Sequence, residues 1–270
     1  MSSIAALQKN GGFVLGNAVG SVIVNTGLTL GLAAVFGKII MDRKTSQKLN
    51  LLVMAVLLLI LPTIPYKFGS AHGKLPQWLG FIFLLLVPVY LFFLIKQEKN
   101  KNSKEEKKEV DNHKKAFLLL GKIIVAAGII SASASLLVDS VEVIASRAGI
   151  SDVIISSTVV SLGTGLPELS TVLSSAKRKE ASLALGNILG SNLLNILLVL
   201  GAAVALTPKG IKITTSFYLI HFAALSLIVG AFRFFAYRNK EKAISKWEGA
   251  ILIGLYIGYL AANVMSVLKG

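Results

Sequence analysis

The chain reads as an all-α, polytopic membrane protein built from inverted-topology repeats. Three observations support this: its hydrophobicity, the spacing of its apolar runs, and a motif that occurs twice. Of its 270 residues, 54% are hydrophobic and only 15% are charged, with a mean hydropathy of +0.73. Soluble chains carry about 25% charged residues, so this one cannot cover a water-facing surface and must be solvated by lipid. It has no cysteine, which excludes a disulfide framework, a thiolate nucleophile and a cysteine-ligated metal. The net charge of +15 does not point to nucleic acid, because the lysines sit in short loops between apolar runs.

About eight apolar runs approach the roughly 20 residues a spanning helix requires. They lie at 12–37, 49–66, 78–95, 116–138, 152–176, 183–206, 213–236 and 247–268. The first ten residues, MSSIAALQKN, lack the apolar core of a cleavable signal peptide. The longest polar stretch, Lys96 to Lys115, carries eight Lys against four Glu and one Asp. It divides a first half, 1–95, from a second half, 116–270, with 96–115 as a charged loop between them.

Alternate loops differ sharply in charge. Residues 38–48, 96–115, 177–180 and 233–246 hold 20 Lys and Arg, against 7 in 1–11, 66–77, 146–151, 207–212 and the C-terminus. Lys122, just inside a span, can snorkel to the more basic side. The positive-inside bias places the basic set in the cytoplasm and the C-terminus outside, as expected for a multi-pass protein of the plasma membrane. Tyr66 and Trp78 at the outer side, and Tyr237 and Trp247 at the inner, suit interfacial anchoring.

The motif recurs at an offset of 170 residues. Gly16-Asn17-Ala18-Val19-Gly20-Ser21-Val22-Ile23-Val24-Asn25 aligns with Gly186-Asn187-Ile188-Leu189-Gly190-Ser191-Asn192-Leu193-Leu194-Asn195. The match continues at Leu28/Leu198, Leu30/Leu200 and Gly31/Gly201, giving copies at 6–34 and 150–205 within the two halves. Five helix steps separate the copies, so they run in opposite directions through the membrane, as in many secondary transporters. Asn17, Ser21 and Asn25 share one helix face, as do Asn187, Ser191 and Asn195. The Gly pairs four apart allow close approach of another helix.

A carboxylate lies beside the second copy, in Ser161-Leu162-Gly163-Thr164-Gly165-Leu166-Pro167-Glu168. Pro167 removes a backbone donor and the two glycines weaken the helix, so a break or kink is expected there. A carboxylate, hydroxyls and freed carbonyls make a hard-oxygen site suited to Na⁺ or Ca²⁺. A Glu buried in hydrocarbon is costly enough that its default reading is functional.

The run Gly163-Thr164-Gly165-Leu166-Pro167-Glu168, with Gly186-Asn187 and Gly190-Ser191-Asn192…Asn195, resembles the second α-repeat of the calcium/cation antiporter superfamily, in its prokaryotic sodium/calcium exchanger branch. The resemblance runs from about 150 to 205, and the first repeat is similar only from about 6 to 34. It implies ten helices in two inverted halves, with one glutamate per repeat coordinating ions at the centre. Carried over, Glu168 is the second-repeat ligand, with Thr164, Ser191 and Asn195 beside it and Ser161 offering a carbonyl. Ser21 and Asn25 are the first-repeat counterparts of Ser191 and Asn195. No cofactor is implied: Ca²⁺ and Na⁺ are cargo, and lipid is the remaining partner.

The chain departs from that pattern at Gly165, where the family usually has Ser, and at Asn195, where Asn rather than Asp resembles the potassium-independent branches. The 170-residue offset places the counterpart of Glu168 ahead of Met1, so either the start is misplaced or the first repeat is an N-terminal remnant, natural or engineered, without its carboxylate. One carboxylate offers Ca²⁺ little charge, which implies that Na⁺/Ca²⁺ exchange by alternating access is impaired in this chain. The alternatives are proton/Ca²⁺ exchange, with Glu168 taking the counter-proton, and a non-transporting membrane subunit.

The remaining ionisable groups read as structural. Ser151 and Asp152 form a helix start, Asp139 and Glu142 sit near an outer helix end, and His221 is a hydrogen-bonded packing residue. There is no Gly-rich phosphate loop, Ser/His/Asp arrangement or His-x-x-x-His pair, so no enzymatic activity is expected. The topology has a direct check, because the native chain lacks cysteine. In intact cells, a membrane-impermeant thiol reagent should label Ser266→Cys and spare Ser103→Cys; the opposite pattern would reject this orientation.

Overall fold

The computed structural model describes residues 11–37, 39–64, 72–102, 152–177, 181–238 and 243–269, with seven single positions between 125 and 147. Among these residues, seven helices are long and apolar enough to cross a bilayer. They are α1 (Gly11–Phe36), α2 (Arg43–Thr63), α3 (Gln77–Asn102), α4 (152–177), α5 (181–205), α6 (Phe217–Arg238) and α7 (Lys246–Lys269). The expected run at 116–138 lies almost wholly outside the described residues, as do Asp139, Glu142 and Ser151. Positions 125, 129, 133, 136, 140, 143 and 147 are helical and exposed, spaced to share one helix face.

Four short strands, which periodicity does not reveal, join the helix ends. They are β1 (Ile39–Ile40), β2 (His72–Leu75), β3 (Ile211–Thr214) and β4 (Ala243–Ile244). Antiparallel pairs form between β1 and β4, with Ile39 opposite Ile244, and between β2 and β3, with Gly73 opposite Ile213. At such ends the orphan backbone groups of helices and loops find partners before the chain enters lipid.

Local chemistry sets the boundaries. α2 starts at Arg43, not near residue 49, because Asp42 Oδ1 accepts the Thr45 amide at 2.7 Å and caps the helix. Ser245 and Glu248 form a capping box at the head of α7: Glu248 Oε2 accepts the Ser245 amide at 2.7 Å, and Ser245 Oγ accepts the Glu248 amide at 3.4 Å. Gly210 takes a φ of 65° in the turn before β3, so α6 begins only at Phe217.

The expected break at Pro167 does not occur. The α-helix runs continuously over Ser161–Lys177 with the proline inside it. The irregularity falls two to three turns earlier, in a π-helical stretch over Ser156–Val160. Membrane helices tolerate proline because neighbouring helices and local π adjustments satisfy the freed groups. The Gly163 carbonyl still lacks the helical donor that Pro167 cannot supply.

The sheets fix the direction of each helix. α2 starts next to β1 and ends before β2, so the two sheets lie at opposite ends of the bundle. α1 feeds β1 and α5 feeds β3, so α1 and α5 run antiparallel. Loops 38–48 and 233–246 share one end, and 66–77 and 207–212 share the other, as alternation of the charged loops requires.

Each half uses the same order of elements, α1-β1-α2-β2-α3 and α5-β3-α6-β4-α7, and each strand pairs with the other half. The glycine contacts correspond as well. A Cβ on Gly31 would lie 3.0 Å from the Gly249 carbonyl oxygen, and one on Gly201 would lie 2.9 Å from Phe83 Cβ and 3.5 Å from the Gly80 carbonyl oxygen. So α1 packs closely on α7, and α5 packs closely on α3.

α1 is the most enclosed helix, whereas α3 and α7 turn much of their surface outward. Leu85, Phe92, Leu219 and Leu268 are exposed large apolar residues of the kind that face lipid. Trp78 and Trp247 are exposed at the heads of α3 and α7, where interfacial anchors belong, and Tyr66 lies outside the described residues. Tyr237 also ties α6 to α2, its hydroxyl donating to the Ser46 carbonyl at 3.3 Å and Asn50 Oδ1 at 3.2 Å.

The seam of Gly16 and Gly20 sets the position of α1. A Cβ on Gly16 would sit 2.9 Å from the Val153 carbonyl oxygen of α4, and one on Gly20 would collide with the Ser157 carbonyl and Ser161 Oγ. By contrast, a Cβ on Gly230 of α6 meets nothing within 4 Å. Gly20→Ala should therefore lower stability by about 1–3 kcal/mol through overpacking. Gly230→Ala should be neutral, or stabilising by up to about 1 kcal/mol through helix propensity. Thermal unfolding of the purified variants in detergent checks both signs.

Candidate cation site

α1 and α5 meet where each departs from α geometry. Val24–Thr29 and Asn195–Leu200 are π-helical, a widening that often marks functional positions. Three buried polar side chains bridge the helices there. Asn25 Nδ2 donates to Asn192 Oδ1 at 2.9 Å, and Asn192 Nδ2 donates to Thr26 Oγ1 at 3.2 Å. One atom is left over: Asn25 Oδ1 is buried without a partner. It lies 3.4 Å from where a Cβ on Gly165 of α4 would stand. The missing side chain at Gly165 thus leaves space beside an acceptor oxygen that nothing satisfies.

α4 brings further oxygens to the same neighbourhood. Ser161 is fully buried, and its hydroxyl faces the Ser156 carbonyl at 2.6 Å, the Asn17 carbonyl at 3.1 Å and Asn17 Oδ1 at 3.3 Å. The Ser161 carbonyl, expected as an ion ligand, accepts the Thr164 hydroxyl at 3.2 Å. Thr164 and Glu168 are both half-buried and stand one helical turn apart on one face. Among the described residues, no three His, Cys, Asp or Glu side chains converge.

The structure joins part of the predicted set. Asn25, Ser161 and Thr164 lie around the meeting of α1 and α4, and Ser21 is buried next to Gly20 in that seam. Ser191 and Asn195 are half-buried on α5, and no hydrogen bond among the described residues links them or Glu168 to the Asn25 bridge. The α5 partner of Asn25 is Asn192. The repeat hides this residue, because its counterpart 170 positions earlier is Val22. Asn17 and Thr26 were also missed as site members, and only tertiary contacts reveal them. His221 behaves as expected of a packing residue: it is buried, with Nδ1 3.0 Å from the Tyr259 hydroxyl.

The family model described as "Sodium/calcium exchanger protein" matches residues 1–96 and 118–265. The chain belongs to the sodium/calcium exchanger family. A relative from Methanocaldococcus jannaschii, the uncharacterized membrane protein MJ0091, is 33% identical over 264 residues, covering 97% of this chain and 80% of the relative. The sodium/calcium exchanger MaX1 of Methanosarcina acetivorans is 36% identical over 113 residues, 42% of this chain and 31% of that protein. A solved structure of the sodium-calcium exchanger NCX_Mj, soaked with 10 mM Na⁺ and zero Ca²⁺, superposes with a TM-score of 0.69 at 29% identity. The match covers 96% of this chain and 80% of that one. This exchanger-family chain is accordingly a multi-pass membrane protein.

In this exchanger-family chain the Asn25–Asn192 bond should be measurable as a coupling. In a double-mutant cycle of Asn25→Ala and Asn192→Ala, read by unfolding from lipid–detergent bicelles, the interaction should be about 0.6 kcal/mol and at most about 1.7. Strict additivity would show that the bridge does not hold α1 to α5.

Proposed function

We propose that the chain exchanges Ca²⁺ against Na⁺ across the plasma membrane by alternating access. Glu168 supplies the charge of the ion site, and Thr164, the Ser161 carbonyl, Ser191, Asn195, Ser21 and Asn25 supply neutral oxygens. The observation that carries this reading is Asn25 Oδ1, a buried acceptor without a donor, facing the open position at Gly165 on the helix that bears Glu168. An unsatisfied buried acceptor costs about 1–3 kcal/mol, and a dehydrated cation would offset that cost. Family membership supports the cargo, since sodium/calcium exchangers are among its relatives.

The antiparallel course of α1 and α5 and the matching element order support an inverted-topology repeat. Such repeats transport by letting one half rock against the other around a fixed site. The charged loop 96–115 faces the cytoplasm and the C-terminus lies outside, in keeping with the basic loops gathered at one end of the bundle.

Binding and transport can be read separately. Ca²⁺ should stabilise the purified chain against heat, by about 2.7 kcal/mol at a hundredfold excess over Kd, and excess Na⁺ should reverse the effect. Glu168→Gln, which keeps the volume and removes the charge, should abolish the Ca²⁺ response, and Asn25→Ala should weaken it. Uptake of ⁴⁵Ca²⁺ into proteoliposomes under an outward Na⁺ gradient should be Glu168-dependent. A Ca²⁺ response that survives Glu168→Gln would overturn the site.

A further inference from the structure

Tyr259 of α7 is held between two irregular turns of other helices. Its hydroxyl donates to the Ser157 carbonyl of α4 at 3.1 Å and stands 3.0 Å from Nδ1 of His221 on α6. Ser157 lies in the π-helical stretch Ser156–Val160, and His221 lies in another, Phe217–Phe222. α7 itself is regular α-helix over Lys246–Lys269. All three residues are buried.

The π-helical stretch of α4 explains why Ser157 takes a side-chain donor. In an α-helix the Ser161 amide would bond the Ser157 carbonyl, but here it bonds the Ser156 carbonyl, one residue further back. The Ser157 carbonyl loses its α-helical donor, and the Tyr259 hydroxyl supplies one. Buried backbone carbonyls are rarely left without a partner.

That bond decides where the proton of His221 sits. A hydroxyl has one proton to give, and a carbonyl can only accept. The Tyr259 proton goes to Ser157, so the bond to His221 takes its proton from the ring: Nδ1 donates and the Tyr259 oxygen accepts. The opposite assignment would set two oxygens against each other across 3.1 Å with no proton between them. Phe217, one turn before His221, packs on the ring with centroids 4.5 Å apart.

The relay closes a triangle of helices. α1 meets α4 at Gly16 and Gly20, and it meets α7 at Gly27 and Gly31. Tyr259 ties the third side, α7 to α4, at the same carbonyl that a Cβ on Gly20 would strike. Further along α4, Ser161 faces Asn17 of α1, and Gly165 stands opposite Asn25.

We propose that His221 and Tyr259 are positioning residues for the cation site. Nδ1–H of His221 orients the Tyr259 hydroxyl, and that hydroxyl holds the π turn of α4 against α1, which sets where the oxygens of α4 stand. Both act through Ser157 and not by contact with the ion. The effect on Ca²⁺ rests on the cation-site reading, whereas the relay itself does not.

The test has an ion-free arm and a Ca²⁺ arm. In the full chain labelled with ¹⁵N-histidine and reconstituted in bilayers, the His221 ring, identified by its loss in His221→Asn, should show a protonated Nδ1. Tyr259→Phe and His221→Leu should each speed amide hydrogen exchange across 156–165 about fivefold. His221→Asn, whose Nδ2–H stands in for Nδ1–H, should keep the wild-type rate. In the Ca²⁺ arm, Tyr259→Phe and His221→Leu should weaken Kd, read by thermal shift, about tenfold, with His221→Asn again close to wild type. A bare Nδ1, or exchange in Tyr259→Phe equal to wild type, would overturn the relay. An unchanged Kd in Tyr259→Phe, in a chain whose wild type responds to Ca²⁺, would overturn the positioning role. A wild-type chain without any Ca²⁺ response would remove the cation site and the positioning role with it, and the ion-free arm would still decide the relay.

Discussion

The contact of α1 with α4, backbone against backbone at Gly20 and Ser157, is the constraint on which the rest of the bundle depends. In lipid there is no hydrophobic drive to bring helices together, so close van der Waals packing between small residues does that work. Any side chain at Gly20 would push the helices apart. Ser161 would then lose Asn17, Gly165 would move away from Asn25, and the oxygens of α4 would no longer face α1. The candidate site is therefore a consequence of a packing seam.

Around that seam the helices are locally unwound rather than broken. The π-helical stretch in α1 holds Asn25 and Thr26 of the polar bridge, that in α5 starts one turn after Asn192, and that in α4 leads directly into Ser161. Widening a turn frees a carbonyl or re-aims an amide side chain while the rest of the helix keeps its internal hydrogen bonds, which is the arrangement lipid permits. Proline at 167 lies within unbroken α-helix, and the helix carrying Glu168 stays continuous.

The two halves of the molecule correspond in element order, strand pairing and glycine contacts, yet their surroundings differ. Tyr259 and His221 are tied into α4, whereas Tyr90 and Leu51 line an apolar groove among the described residues. That difference concentrates an apolar recess and an unsatisfied hydroxyl on one face of the bundle. Large apolar side chains such as Leu85, Leu219 and Leu268 are exposed elsewhere on the bundle, as expected of lipid-facing helices.

Composition, apolar run length and the 170-residue repeat were enough to determine a multi-pass helical protein and the antiparallel course of α1 and α5. These features are local or periodic, and a linear pattern records them. The four short strands, the earlier start of α2 at its Asp42 cap and the π-helical turns were decided by hydrogen bonds between residues distant in sequence or by single side-chain geometry. The pairing of Asn25 with Asn192 shows the limit most clearly. Repeat matching sets Asn25 against Asn195, but the crossing of two antiparallel helices sets it against Asn192, whose counterpart is Val22. A repeat specifies which residues are equivalent; only the packing of helices, through the distance at which their backbones meet, decides which residues touch.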